Sequence, residues 1–93
     1  MAIVNTNGTL TNATNSTAAQ IALTGQAQWL YFSAFARAHI KICGSTASSG
    51  VSTALGLAIA TGDTYVFQFQ PGEAKYLYQV GTAAEPFSIM EVW

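Results

Sequence analysis

Charge is what this chain has least of. Only 8% of its 93 residues are charged, against roughly a quarter in an ordinary soluble domain. A net charge of -1 adds little repulsion between molecules, so solubility gains little from electrostatics. Such a surface is expected to be covered by partners, other copies of the chain foremost; the alternative is a monomer coated with hydroxyls and amides. Arg37, Lys41 and Lys75 are the only full cations. That is too few and too scattered to displace counterions from a nucleic-acid backbone, so nucleic acid is excluded as a partner. A single cysteine, Cys43, rules out an intrachain disulfide and leaves the redox compartment open. No apolar run approaches the length of a membrane-spanning helix, and the N-terminus lacks a basic region followed by an apolar run, so neither a membrane partner nor a secretory signal is expected.

What the chain does have is β-forming alternation punctuated by turn residues. The stretch Asp63–Val80 reads as a β-hairpin. Tyr65, Phe67 and Phe69 share one face of its first arm, Pro71-Gly72 reverses the chain, and Tyr76 and Tyr78 begin the second arm. Residues 1–18 are rich in Asn and Thr and uncharged. They read as an N-terminal arm, with Ala2-Ile3-Val4 able to dock as a short strand and Asn7-Gly8 as a turn behind it. The N-x-S/T triplets at Asn7, Asn12 and Asn15 follow from that composition. Residues 19–93 then form the domain proper. Gln20–Thr24 is a strand with Ile21 and Leu23 on one face. Gln28–Ala36 is a strand without clean alternation, which suggests cover on both faces. Arg37–Cys43 alternates Ala38, Ile40 and Ile42 against Arg37, His39 and Lys41. Gly44–Gly50 is a loop, Val51–Thr61 a strand with Leu55, Leu57 and Ile59 in register, and Pro86–Trp93 the last strand. Seven or eight strands at this spacing, with no capped helix, predict an all-β fold: a single antiparallel β-sandwich, jelly-roll-like, with an extended N-terminal arm.

No catalytic constellation is visible. The acids Asp63, Glu73 and Glu85 sit at predicted turns, and their spacing does not recommend a carboxylate pair for glycoside hydrolysis. His39 has no neighbouring ligand to suggest a metal, and in an extended strand it is too far from Cys43 to act as its base. Cys43 reads as a small buried apolar residue. No enzyme activity, metal or cofactor is expected. Glu91 lies between Met90 and Val92 and needs a partner if buried, with Arg37 or Lys41 within or between chains as candidates. The Arg37/His39/Lys41 stripe is either a solvated strand face or a seat for an acidic partner. Trp29, Tyr31, Tyr65, Tyr76, Tyr78 and Trp93 either pack in cores and interfaces or form a sugar-binding platform.

From Trp29 onward the order of elements is similar to that of small tailed-phage virion proteins with a β-sandwich fold, of the capsid-decoration or cement type. The matching features are the Ile42–Gly44 step, Gly62-Asp63-Thr64-Tyr65-Val66-Phe67, the Pro71-Gly72 turn, and Ile89–Val92 with its glutamate near the end. The aromatic content of Trp29–Phe35 and the lack of acidic patches depart from that pattern. The resemblance implies a structural component on the phage head surface, made in the host cytoplasm. Such a component would stabilise the head through inter-subunit contacts as a homo-oligomer, commonly a trimer, bound to the major capsid protein or another virion protein. The contacts expected are Ile3, Val4 and Leu10 of the arm together with Arg37, His39 and Lys41. The alternative is a carbohydrate- or receptor-binding adhesin module of a head fibre or tail.

Overall fold

A computed structural model describes residues 1–10, 19–44 and 56–93. It is all-β. The strands are β1 (Ile3–Thr9), β2 (Ala19–Ala22), β3 (Trp29–Ala34), β4 (Ala38–Cys43), β5 (Leu57–Ile59), β6 (Thr64–Gln68), β7 (Tyr76–Gly81) and β8 (Pro86–Val92). They form two antiparallel four-stranded sheets: sheet 1 in the order β1-β8-β3-β6, sheet 2 in the order β2-β7-β4-β5. Only β4 and β5 are both consecutive and paired, so nearly every connection crosses from one sheet to the other, as in a jelly roll.

The core is what the period of two predicts. Leu30, Phe32 and Ala34 of β3 and Phe87 and Ile89 of β8 face Ala38 and Ile40 of β4, Ile59 of β5 and Leu77 of β7. Tyr65, Phe67 and Phe69 pack against this core from the β6 side, Ile21 and Leu23 from the β2 side. Burial alternates cleanly along β3: Leu30, Phe32 and Ala34 enter the core, while Trp29 on the other face remains 41% exposed in the single chain. The irregular appearance of that stretch came from large side chains on the outward positions, where hydrophobicity alone gives no sign of which face is wet.

The expected hairpin Asp63–Val80 does not form. β6 pairs with β3 in sheet 1, whereas β7 pairs with β2 and β4 in sheet 2. The connection around Pro71-Gly72 is a bridge between sheets. Phe69 N–H donates to Gln28 O at 2.9 Å, Gly72 N–H to Gly25 O at 2.7 Å, and Lys75 N–H to Cys43 O at 3.0 Å. Alternation specifies which face of a strand is apolar, not which strand lies beside it, and Pro-Gly reverses a chain within a sheet or between two sheets equally well.

The N-terminal segment also differs from expectation. Asn7-Gly8 is no turn: both residues lie inside β1, which pairs along its whole length with β8 from Ile3 opposite Val92 to Thr9 opposite Pro86. Ala2 N–H donates to Trp93 O and Trp93 N–H returns the bond to Ala2 O. Val4 faces inward opposite Glu91, and Leu10 is only 2% exposed in the core. Asn5, Asn7 and Thr9 are the outward positions of a strand whose backbone is held by β8, and Thr6 takes an inward one. The triplets at Asn12 and Asn15, the loop at 45–50 and the apolar residues at 51–55 lie outside the described residues.

Candidate interaction surface

The outward face of sheet 1 is built from the odd positions of β1 and β3 and the even positions of β6 and β8. Register places Ile3, Val92, Trp29 and Gln68 in one row across the sheet. Asn5, Met90, Tyr31 and Val66 form the next row, and Asn7, Ser88, Ser33 and Thr64 the third. The first two rows are largely apolar: Ile3 is 52% exposed and Val66 53%. The third is a polar ladder in which Ser88 Oγ donates to Asn7 Oδ1 at 2.8 Å. No charged side chain lies anywhere in these rows.

Sheet 2 is different. Arg37, just before β4, and His39 and Lys41 within it point outward as expected, with Arg37 and Lys41 exposed and His39 half-buried. Across the strand pair, His39 lies opposite Val80 and Lys41 opposite Tyr78. Tyr78 and Val80 make a second small buried cluster on this outward side, with Cys43 and Tyr76 packed against it. Cys43 is therefore not a core residue: it shares the outward parity of Lys41 and is half-buried and free. Its position at the end of an alternating strand decides its face, whatever its affinity for the interior.

Among the expected contact residues, Ile3 faces outward on sheet 1, Val4 faces the interior and Leu10 belongs to the protein's own core. Arg37, His39 and Lys41 lie on the other sheet, so the fold separates the two halves of the expected site. The six aromatics of the possible sugar platform are likewise dispersed. Trp29 and Tyr31 lie outside sheet 1, Tyr65 packs on the core, Tyr76 and Tyr78 lie outside sheet 2, and Trp93 is half-buried beyond β8, its backbone paired with Ala2. Val66, Met90 and Val92 were missed as surface residues. The available signal was the complete absence of charge from β1, β3 and β6 together with the parity of β8, whose only acid, Glu91, falls on the inward side.

Glu91 is 1% exposed, and its partner is neither Arg37 nor Lys41. Thr24 Oγ1 donates to its Oε1 at 2.8 Å, and Thr24 N–H to Oε1 and Oε2 at 3.1 and 3.3 Å. The carboxylate thereby ties the β2–β3 loop of one sheet to β8 of the other. The remaining acids do not converge with it: Glu73 Oε1 accepts from Gln70 N–H within its own turn, and Asp63 and Glu85 are exposed. Among the described residues no group of three or more His, Cys, Asp or Glu could hold a metal ion. A cleft of about 310 Å³ opens between the sheets on the β5/β6 side, lined by Ile40, Ile42, Leu57, Phe67 and Phe69 with Lys41 and Gly56. It is an opening onto the apolar core, and among the described residues its lining includes no acid or nucleophile.

The four edge strands share a further property. β1 (IVNTNGT), β6 (TYVFQ), β2 (AQIA) and β5 (LAI) contain no charge and no proline. Natural sheets commonly protect an edge with lysine, proline or a bulge, because its unpaired N–H and C=O groups are a template for another strand.

No family model matches the chain, and no curated protein matches it. A solved structure described as "Bacillus endospore appendages form a novel family of disulfide-linked pili" contains a chain of similar fold. The TM-score is 0.57 at 17% identity, covering 98% of this chain and 85% of that one. The likeness is one of fold and runs over nearly the full length of this chain.

Proposed function

We propose that this protein is a structural subunit whose activity is self-assembly into a larger particle or fibre. The observation that carries the reading is that, among the described residues, the four strands at the sheet edges bear no charge and no proline. With 8% charged residues, this surface suits burial against further copies rather than solvation. The fold shared with a pilus chain supports the same class of role. That neighbour is described as disulfide-linked; here the lone Cys43 allows at most one intermolecular disulfide per chain, so cohesion rests on non-covalent contact. Light scattering and electron microscopy of the purified chain test the reading. Assemblies well above the 9.8 kDa chain mass are expected. They should shrink when Gln20→Lys or Ala58→Lys puts a charge on an edge strand, and a monomer at every concentration refutes the proposal.

A second reading, capsid decoration, draws on the sequence resemblance and on the exposed Arg37 and Lys41, which suit an acidic docking surface. It predicts that Arg37→Glu with Lys41→Glu abolishes attachment to phage heads while leaving self-association intact. Attachment that survives both changes removes it.

A further inference from the structure

Resting on the self-assembly reading, we infer that the outward face of sheet 1 is a two-fold contact with the same face of a second copy. The face presents Ile3, Trp29, Tyr31, Val66, Met90 and Val92 as one apolar area bordered by hydroxyls and amides. The occupant follows from charge. A buried charge without a partner is costly. The outward side of sheet 2 carries Arg37, His39 and Lys41, so stacking sheet 1 of one copy on sheet 2 of the next would cover cations with a surface that offers no acid. Acidic side chains cannot complement it from sheet 1 either, because the acids lie at turns or, for Glu91, inside. Of the two face-to-face stackings open to sheet 1, the one on a second sheet 1 strands no charge, and the centre of sheet 2's outward side, at Tyr78 and Val80, is already buried within the chain; a patch that is its own complement gives a closed two-fold pair.

The area is sufficient. Four strands about 4.8 Å apart, with residues rising about 3.4 Å, give a face of roughly 400 Å² in projection. With side-chain relief, two such faces reach the ~1,000–1,200 Å² at which specific interfaces begin. Two sheets packed this way lie about 10 Å apart, as in the core of a sandwich. Edge pairing and this face contact use different surfaces, so one assembly can contain both.

The test uses the full chain and three variants at exposed positions, with circular dichroism to verify folding. Ser88→Lys sits in the polar row that borders the apolar area and Trp29→Lys within that area, whereas Ala58→Lys lies on the edge strand β5. Light scattering and sedimentation across a concentration series should show wild-type dimers as the last species before monomer. Ser88→Lys and Trp29→Lys should each raise the dimer dissociation constant at least tenfold, with recovery for Ser88→Lys in high salt, which screens the paired lysines. Tryptophan emission, to which Trp29 and Trp93 both contribute, should shift to the blue as the wild type dimerises. If both face variants leave the dimer constant within twofold while Ala58→Lys weakens assembly, this contact is refuted and the self-assembly reading stands. A wild type that stays monomeric at about millimolar concentration refutes both.

Discussion

Gly8 offers the most direct check on how β1 is docked. It lies opposite Phe87 in the β1–β8 pair, and the Phe87 ring covers the space above it. A Cβ on Gly8 would stand 2.7 Å from Phe87 Cζ and 2.9 Å from Cε2, closer than carbon atoms tolerate. The ring has little freedom to withdraw, being buried and stacked on Phe32 at 5.9 Å between centroids with 19° between planes. Overpacking of this kind costs about 1–3 kcal/mol. Replacing glycine with alanine restricts the unfolded chain and returns about 0.4–1 kcal/mol. Gly8→Ala should therefore destabilise by about 1–2 kcal/mol, a melting midpoint lower by roughly 4–16 °C for a domain of this size. Phe87→Leu alone forfeits the stack on Phe32 and part of the buried ring, about 1–2 kcal/mol. Leucine has no atoms at the Cε and Cζ positions, so in the double variant the collision disappears. Its total loss should fall short of the sum of the two single losses by about 1 kcal/mol. Chemical denaturation of the four proteins measures this coupling. A neutral Gly8→Ala, or losses that simply add, would show that β1 does not lie on β8 with Phe87 above Gly8.

Three further outcomes are expected. Thr24→Val leaves the buried Glu91 carboxylate with the Thr24 amide alone and should cost about 1.5–3 kcal/mol in denaturant unfolding; a loss under 0.5 kcal/mol would mean that Glu91 does not depend on this loop. Leu10→Ala should cost about 2–5 kcal/mol, because Leu10 is in the core and its Cβ and Cδ1 crowd Gly81 to within 2.8 Å of where a side chain would begin; near-neutrality would mean residue 10 belongs to a free arm. Cys43, half-buried and free, should react with a maleimide in the native protein without denaturant, and a thiol that reacts only after unfolding would return it to the core.

The bridge at residues 69–75 makes a separate point about glycine. Gly72 has φ of +89° with nothing within 4 Å of a Cβ, so its role is backbone freedom and not space. Gly8 is the reverse case, with no left-handed backbone and no room. Composition cannot distinguish the two, since both occur in short polar surroundings, and this is why Asn7-Gly8 resembled a turn while lying mid-strand.

The strand class of nearly every described element was legible in the sequence, as were the shared inward sides of Ala38, Ile40 and Ile42 and of Tyr65, Phe67 and Phe69, and the outward stripe of Arg37, His39 and Lys41. Each follows from the period of two, a local property of a pleated chain. The tertiary structure alone decided which strands are neighbours. It took β6 and β7 into different sheets, laid β1 along β8, and brought Thr24 to Glu91 across the sandwich. It also joined outward positions from four separated strands into a single uncharged face. Pairing between distant strands depends on how all the apolar faces are buried at once, so no single segment encodes it.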